Sequence, residues 1–173
     1  MIIEELKLKD KEQAKQVLVN SYMQYEETFK PKEHWLRYLG DIKAAIDDPT
    51  VEKIFVAKHE GKIVGTASMY ANSDVAYPGT DYGVDYTLLR YLAVTPKSRG
   101  LGVARALLEV GIQYTFQKNE PYMYLFTGEM MTSAIHLYEK YGFDRDPQVE
   151  SKFMSTARCY RIKSGVLEVQ KRL

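Results

Sequence analysis

The segment from Tyr91 to Ala104 (Tyr91-Leu92-Ala93-Val94-Thr95-Pro96-Lys97-Ser98-Arg99-Gly100-Leu101-Gly102-Val103-Ala104) restricts the possible folds more than any other part of the chain. An apolar run of strand character ends at Thr95-Pro96, and two glycines follow shortly after. Val103, Leu107, Val110 and Tyr114 then recur at helical spacing, marking an amphipathic helix from about Gly100 to Gln117. Such a turn exposes the first backbone N–H groups of the helix, which have no partner within it. Together with the positive end of the helix dipole, they form a site for an anion such as phosphate. Gly100 and Gly102 allow close approach, and Lys97 and Arg99 add positive charge. Glycines at a helix start also serve chain geometry alone, so their spacing by itself leaves both readings open. The P-loop pattern is absent, and a dinucleotide fingerprint needs Gly or Ala where Arg105 stands.

The remaining sequence supplies the elements around this unit. Ile2–Leu8 reads as a short strand. Asp10 is then placed as a helix N-cap, with Gln13 completing a capping box. Ala14, Val17, Leu18 and Ser21 carry the first helix to about Tyr22. A second helix starts at Pro31, with Trp35, Leu36, Leu39, Ile42 and Ile46 on one face, and stops at Asp47-Asp48-Pro49. Ile54–Lys58 and Lys62–Tyr70 form a hairpin around His59-Glu60-Gly61, and Ala71–Gly83 reads as a long surface loop. Tyr86–Val94 and Tyr122–Thr127 are strands. Ala134, Leu137, Tyr138 and Tyr141 share a helical face that ends at Gly142. Two terminal strands are expected, near Val149–Met154 and Ala157–Ile162, followed by a polar tail.

The 173 residues suit one domain, 1–173, and 45% hydrophobic with 27% charged residues excludes a disordered chain. A net charge of +1 argues against nucleic acid or an anionic membrane as a general partner. The single cysteine, Cys159, cannot pair internally, and in a terminal strand it reads as a small buried hydrophobe. The N-terminus lacks the pattern of a signal peptide, and no apolar run approaches the ~20 residues of a membrane helix. A cytoplasmic location is the expectation. His34, His59 and His136 lack metal-ligand spacing, so no metal is expected.

Two motifs carry a family resemblance. Arg99-Gly100-Leu101-Gly102-Val103-Ala104 matches Gln/Arg-x-x-Gly-x-Gly/Ala, the acyl-CoA pyrophosphate motif of the GNAT superfamily of N-acetyltransferases. About thirty residues later, Ala134-Ile135-His136-Leu137-Tyr138-Glu139-Lys140-Tyr141-Gly142-Phe143 resembles that family's Ala-x-x-Leu-Tyr-x-x-x-Gly-Phe. The order of elements fits over nearly the whole chain. The resemblance implies a mixed α/β (α+β) fold. Its mostly antiparallel central sheet has six to seven strands, flanked by about four helices, with the fourth and fifth strands splayed at a cofactor cleft. It further implies acetyl-CoA as acyl donor, with the pantetheine arm on the backbone of Leu92, Ala93 and Val94. The pyrophosphate is implied on Gly100, Leu101, Gly102, Val103 and Ala104, with Arg99 beside it. One departure is Met131, where many members have an Asn that contacts the cofactor or orders the loop.

The implied activity is direct transfer of an acetyl group to an amine in a ternary complex, the amine belonging to a small molecule or alternatively a protein. Tyr138 occupies the family's general-acid position; an ordinary tyrosine is protonated at neutral pH and can donate to a departing thiolate. From periodicity alone, Tyr138 reads first as a core residue on an amphipathic helix. Asp85 and Glu129 are the nearest candidates for the base, although carboxylates at such positions are commonly solvated. Tyr25, Glu26, Phe29 and Trp35, close to Tyr22 and Glu27, border the acceptor pocket by resemblance, and Tyr77, Asp81 and Tyr82 punctuate the long loop. An aromatic and acidic wall suits a cationic amine, and packing suits it equally. The rivals are a non-catalytic acyl-CoA-binding regulatory module and a protein-interaction domain using the aromatic first half. Monomer and homodimer both remain open, the latter compatible with an exchanged C-terminal strand.

Overall fold

The computed structural model describes residues 1–153 and 156–165. Seven strands are hydrogen-bonded in the order β1-β2-β3-β4-β5-β7-β6. They are β1 (Ile2–Glu5), β2 (Val51–His59), β3 (Lys62–Tyr70), β4 (Leu88–Val94), β5 (Tyr122–Gly128), β6 (Asp144–Arg145) and β7 (Ala157–Lys163). The helices are α1 (Lys11–Tyr22), α2 (Lys32–Ala44), α3 (Ser73–Ala76), α4 (Val103–Gln117), α5 (Thr132–Lys140) and α6 (Pro147–Glu150). The sheet is mostly antiparallel, as expected, and β4 and β5 pair in parallel. The four long helices are also as expected, and α3 and α6 are additional single turns. By internal contacts the chain divides into two compact units, Met1–Met69 with Tyr91–Gly111, and Tyr70–Arg90 with Ile112–Leu173.

In the first unit, α1 buries Ala14, Val17, Leu18 and Tyr22, the stripe its periodicity predicts. α2 differs from expectation. Trp35, Ile42 and Ile46 are buried, but Leu36 is 57% exposed, because one residue further along a helix turns by about 100° and Trp35 already occupies the inner face. The capping box at Asp10 does not form. Asp10 has helical φ and ψ rather than the extended geometry of an N-cap, and its carboxylate accepts from Lys58 Nζ at 2.7 Å. Gln13 Oε1 accepts instead from the Ile63 N–H at 3.2 Å. β3 is buried along all but its first residue, which marks it as a central strand. At Gly65 a Cβ atom would lie 2.8 Å from both the Ala93 carbonyl oxygen and Val103 Cγ1, and 2.9 Å from Leu107 Cδ1. Glycine is what lets the start of α4 and the end of β4 approach β3 this closely.

In the second unit, the long connection after β3 is more ordered than a loop. Asn72 caps the single turn of α3 by accepting from the Asp74 and Val75 N–H groups. Ser73 closes the loop on itself, its N–H donating to the Val84 carbonyl at 2.8 Å and its Oγ accepting from the Val84 N–H at 3.0 Å. The start of β4 is held by Glu120, whose carboxylate accepts from the Thr87 N–H at 2.6 Å and hydroxyl at 2.9 Å. The parallel ladder to β5 consists of two pairs, Leu88↔Tyr124 and Leu89↔Leu125. α5 ends as its sequence predicts. Gly142 N–H donates to the Glu139 carbonyl and Phe143 N–H to the Tyr138 carbonyl, the paired pattern of a Schellman stop.

The strand expected near Val149–Met154 is replaced, over its described residues, by α6 and a turn; Met154 lies outside those residues. Asp146 accepts from the Val149 N–H at 3.2 Å and Pro147 takes the first helical position, a helix-start signal that outweighs the apolar residues after it. Asp146 also receives Arg161 Nη1 at 2.9 Å and the Tyr124 hydroxyl at 3.1 Å. The tail considered for strand exchange also lies outside the described residues.

Gly65→Ala is expected to destabilise the protein by about 1–3 kcal/mol, the cost of forcing backbone and packed side chains apart. Thermal denaturation checks this, and an unchanged Tm would contradict the close approach.

Candidate functional site

The turn before α4 is built by backbone conformation. Pro96–Ser98 makes one tight 3-10 turn, Arg99 is extended, and Gly100 and Gly102 lie at φ 78° and 77°. A Cβ at either glycine would meet nothing within 4 Å, so the left-handed conformation, not lack of space, calls for glycine there. The first helical bond runs from the Ala106 N–H to the Gly102 carbonyl at 3.0 Å, which makes Gly102 the cap, with no side chain to satisfy the amides that follow. The first turn of α4 contains no acidic residue, while Lys97 and Arg99 are exposed beside it. This arrangement fits an anionic group such as a diphosphate.

The strand leading into the turn has an unusual backbone. Tyr91 sits at φ 55°, a conformation that costs a residue with a side chain about 1–2 kcal/mol. Its buried ring meets Tyr22 edge-on at 6.4 Å, and its carbonyl accepts from Thr66 Oγ1 at 3.3 Å. Beyond it, the Thr95 N–H donates to the Val64 carbonyl at 2.9 Å and the Ala93 carbonyl approaches Gly65. Strand alternation then directs the N–H and C=O of Leu92 and Val94 to the opposite edge of β4. A cavity of about 290 Å³, lined by Met1, His59, Val64, Ser98, Leu101 and Val103, adjoins the turn.

Tyr25, Phe29 and Trp35 belong to one aromatic cluster of the first unit. Tyr22 contacts Tyr25 at 6.0 Å and Tyr38 at 5.9 Å, and Phe29 stacks on Tyr38 at 5.2 Å and tilts against Trp35 at 5.5 Å. Trp35 is 1% exposed, whereas Tyr25, Glu26 and Phe29 are half-buried. Burial raises the pKa of Tyr25, and the charge of Arg99 partly opposes the shift. Two groups of candidates named separately from sequence, the aromatic wall and the glycine turn, thus meet within electrostatic range. Tyr38 was not singled out by sequence, although it stands three residues after Trp35 and so on the same side of α2.

The second unit holds Tyr138, Asp85 and Glu129. Tyr138 is buried in α5, its ring 5.8 Å from Phe143 and 6.1 Å from Tyr160. Tyr160 donates its hydroxyl to Glu139 at 2.8 Å; burial, followed by that bond to a carboxylate, pushes its pKa up to about 12. Glu129 is exposed and ion-paired with Arg158 at 2.7 Å. Asp85 is exposed ahead of β4. Tyr77 and Tyr82 join a second cluster with Phe126 and Phe153, in which Tyr82 and Phe153 stack at 3.6 Å and the Arg90 guanidinium lies 4.0 Å over Tyr77. Sequence gives no signal for Phe153 or Arg90 as partners of Tyr77, since tertiary packing is what gathers them. Cys159 is fully buried, and burial raises its pKa, which keeps it a thiol. Among the described residues, no three His, Cys, Asp or Glu side chains cluster as metal ligands, and no helix is long and apolar enough to cross a membrane.

Human N-acetyltransferase 8B is 29% identical over 131 residues, covering 69% of this chain and 54% of its own length. The mycothiol acetyltransferase of Acidothermus cellulolyticus is 32% identical over 98 residues, covering 51% of this chain and 29% of its own. The chain therefore spans between 29% and 54% of the length of these curated relatives. Among solved structures, a GNAT-family acetyltransferase from Staphylococcus aureus superposes with a TM-score of 0.66 at 20% identity, covering 94% of this chain and 98% of that one. The PaiA N-acetyltransferase of Thermoplasma acidophilum, in complex with coenzyme A, gives 0.66 at 16% identity, covering 94% and 99%. These two show the shared fold. The sequence profile of the acetyltransferase (GNAT) family matches residues 15–143, three-quarters of the sequence, and the chain belongs to that family.

Proposed function

We propose that this protein is an N-acetyltransferase that moves the acetyl group of acetyl-CoA directly to an amine, both units acting as one domain in the cytoplasm. The observation that carries the reading is the turn before α4, with two left-handed glycines, no cap side chain, no acid in the first helical turn, and Lys97 and Arg99 alongside. The amides of Gly100 to Ala104 hold the donor's diphosphate, and Leu92 and Val94 offer backbone groups to its pantetheine arm, the Ala93 carbonyl being turned toward Gly65 instead. Acetyl-CoA supplies the activated thioester when bound.

The chain's own residues do the rest. As the new C–N bond forms and the C–S bond breaks, Tyr138 delivers its hydroxyl proton to the departing sulfur, and the amine nitrogen loses a proton. Asp85 takes that proton in this reading, because the Glu129 carboxylate is held by Arg158. Tyr25, Glu26 and Phe29 receive the acceptor, Glu26 pairing with its charge before deprotonation, and Trp35 supports them from behind. The name mycothiol acetyltransferase favours a small-molecule acceptor over a protein.

Isothermal titration with acetyl-CoA, CoA and a pantetheine fragment lacking the diphosphate tests the donor site. Affinity that depends on the diphosphate is expected, and absence of binding to all three would overturn the reading. Gly102→Glu places a carboxylate and a Cβ where φ is 77°, and is expected to abolish CoA binding in a protein that still folds. Tyr138→Phe is expected to lower kcat by about 10²-fold or more while changing CoA affinity little. Equal losses in both quantities would remove the acid role and favour a binding module without chemistry.

A further inference from the structure

The cavity beside the glycine turn has no part in the reading above. Met1, His59, Val64, Ser98, Leu101 and Val103 line its 290 Å³, and all six belong to the first unit. Val64, Ser98 and Val103 are each at least nine-tenths buried and form its inner wall. Met1 and Leu101 are 55% and 61% exposed, and His59 is exposed too, so these three form the open side. Local pairing explains the grouping. Ile2 pairs with Lys58, which sets Met1 opposite His59 one step further along the ladder. The Thr95 N–H donates to the Val64 carbonyl at 2.9 Å, which brings the 3-10 turn carrying Ser98 up to β3.

Ser98 is the polar group of the inner wall. Its N–H donates to the Thr95 carbonyl at 2.9 Å, but its hydroxyl has no hydrogen-bond partner among the described residues. Leaving a buried hydroxyl unpaired is unfavourable, so the cavity is suited to a ligand that accepts from it. Water fits poorly, because an ordered water needs about two to four polar partners and the inner side chains supply one hydroxyl between two valines. Met1 and Leu101 are large apolar side chains left in solvent, and they lose that exposure if an apolar chain lies between them. The volume equals that of about ten waters at ~30 Å³ each, room for a chain of about six carbons and a small head group. Charge selects the head. Ser98 stands between the exposed Lys97 and Arg99, and none of the six lining residues is acidic. A hydroxyl that donates to a carboxylate also makes a stronger bond than one to a neutral oxygen.

We propose that this cavity binds a short aliphatic carboxylate, its chain against Met1, Val64, Leu101 and Val103 and its head accepting from the Ser98 hydroxyl. The site is separate from that of the acyl donor, since its walls are side chains whereas the diphosphate reading uses main-chain amides.

The test is an amide NMR titration of the full chain with hexanoate, hexan-1-ol and hexylammonium, repeated on Ser98→Ala and Leu101→Ser, with thermal denaturation of the ligand-free proteins. Hexanoate should shift the amides of Val64, Ser98, Leu101 and Val103 to saturation, and bind about tenfold more tightly than hexan-1-ol, with hexylammonium weaker still. Ser98→Ala should bind hexanoate about tenfold more weakly at an unchanged ligand-free Tm, because it removes a hydroxyl that has no internal partner. Leu101→Ser should weaken hexanoate and hexan-1-ol alike, because it removes part of the apolar wall. Absence of saturable shifts, or shifts confined to residues away from the cavity, would overturn the site. Hexan-1-ol or hexylammonium binding as tightly as hexanoate would overturn the carboxylate. Unchanged hexanoate affinity in Ser98→Ala, or a clearly lower Tm in that variant, would overturn the role of the hydroxyl.

Discussion

Everything around the candidate site depends on the backbone of β4. The strand is gripped at its start by Glu120, which takes both the N–H and the hydroxyl of Thr87, and it is turned at Tyr91 by a left-handed residue that a buried aromatic side chain holds in place. The strain at Tyr91 is offset by burial of its ring, since a large apolar side chain taken out of water contributes about 1.5–3 kcal/mol. Past that residue the strand is held again, by Val64 and by the approach to Gly65. The glycine turn and α4 follow from a strand whose direction is already fixed. The candidate anion site is therefore a matter of main-chain geometry, with the exposed Lys97 and Arg99 adding positive charge beside the helix start.

The turn before α4 was legible in the sequence because its geometry resides in the backbone. A strand, two glycines within three residues, and helical periodicity are local signals, and each survives packing. The same holds for Gly142, whose Schellman stop depends on residues adjacent in the chain. The readings that failed were those where a distant partner intervened. Asp10 and Gln13 have the spacing of a capping box, but Lys58 and the Ile63 N–H, about fifty residues away, take their oxygens. Tyr91 has no local signal for a positive φ, because what holds it there comes from α1 and β3. The aromatic group around Phe126 and Phe153 likewise assembles residues far apart in the chain. At Val149, the Asp-Pro pair offered a local signal for a helix start, and the apolar pattern alone concealed it.

The two units differ in the chemistry they carry. The first has directed amides, cations and an aromatic wall, groups suited to binding. The second offers hydroxyls and carboxylates, groups that hold or accept protons. Arg158 occupies carboxylates of the second unit, lying 2.7 Å from Glu129 and 3.9 Å from Glu150. A carboxylate in water remains a weak base toward an ammonium ion. The acceptor must therefore lose its proton through equilibrium with the solvent or in step with bond formation.

The abundance of tyrosine raises the question of what distinguishes one as an acid. Burial raises the pKa of Tyr25, Tyr124 and Tyr160, so these phenols stay protonated at neutral pH and are poor donors by acidity alone. Tyr160 has its proton directed at Glu139, and Tyr124 directs its own at Asp146. Acidity therefore cannot select the proton donor in this chain; position must. A thiolate that forms in a water-poor site is a far stronger base toward a nearby phenol than it is in bulk solvent, because desolvation penalises its charge. A phenol of ordinary or raised pKa can then protonate it, provided its hydroxyl is held where the sulfur departs. The proposal for Tyr138 thus rests on position, and the substitution that removes its oxygen while leaving its ring is the one that isolates position from packing.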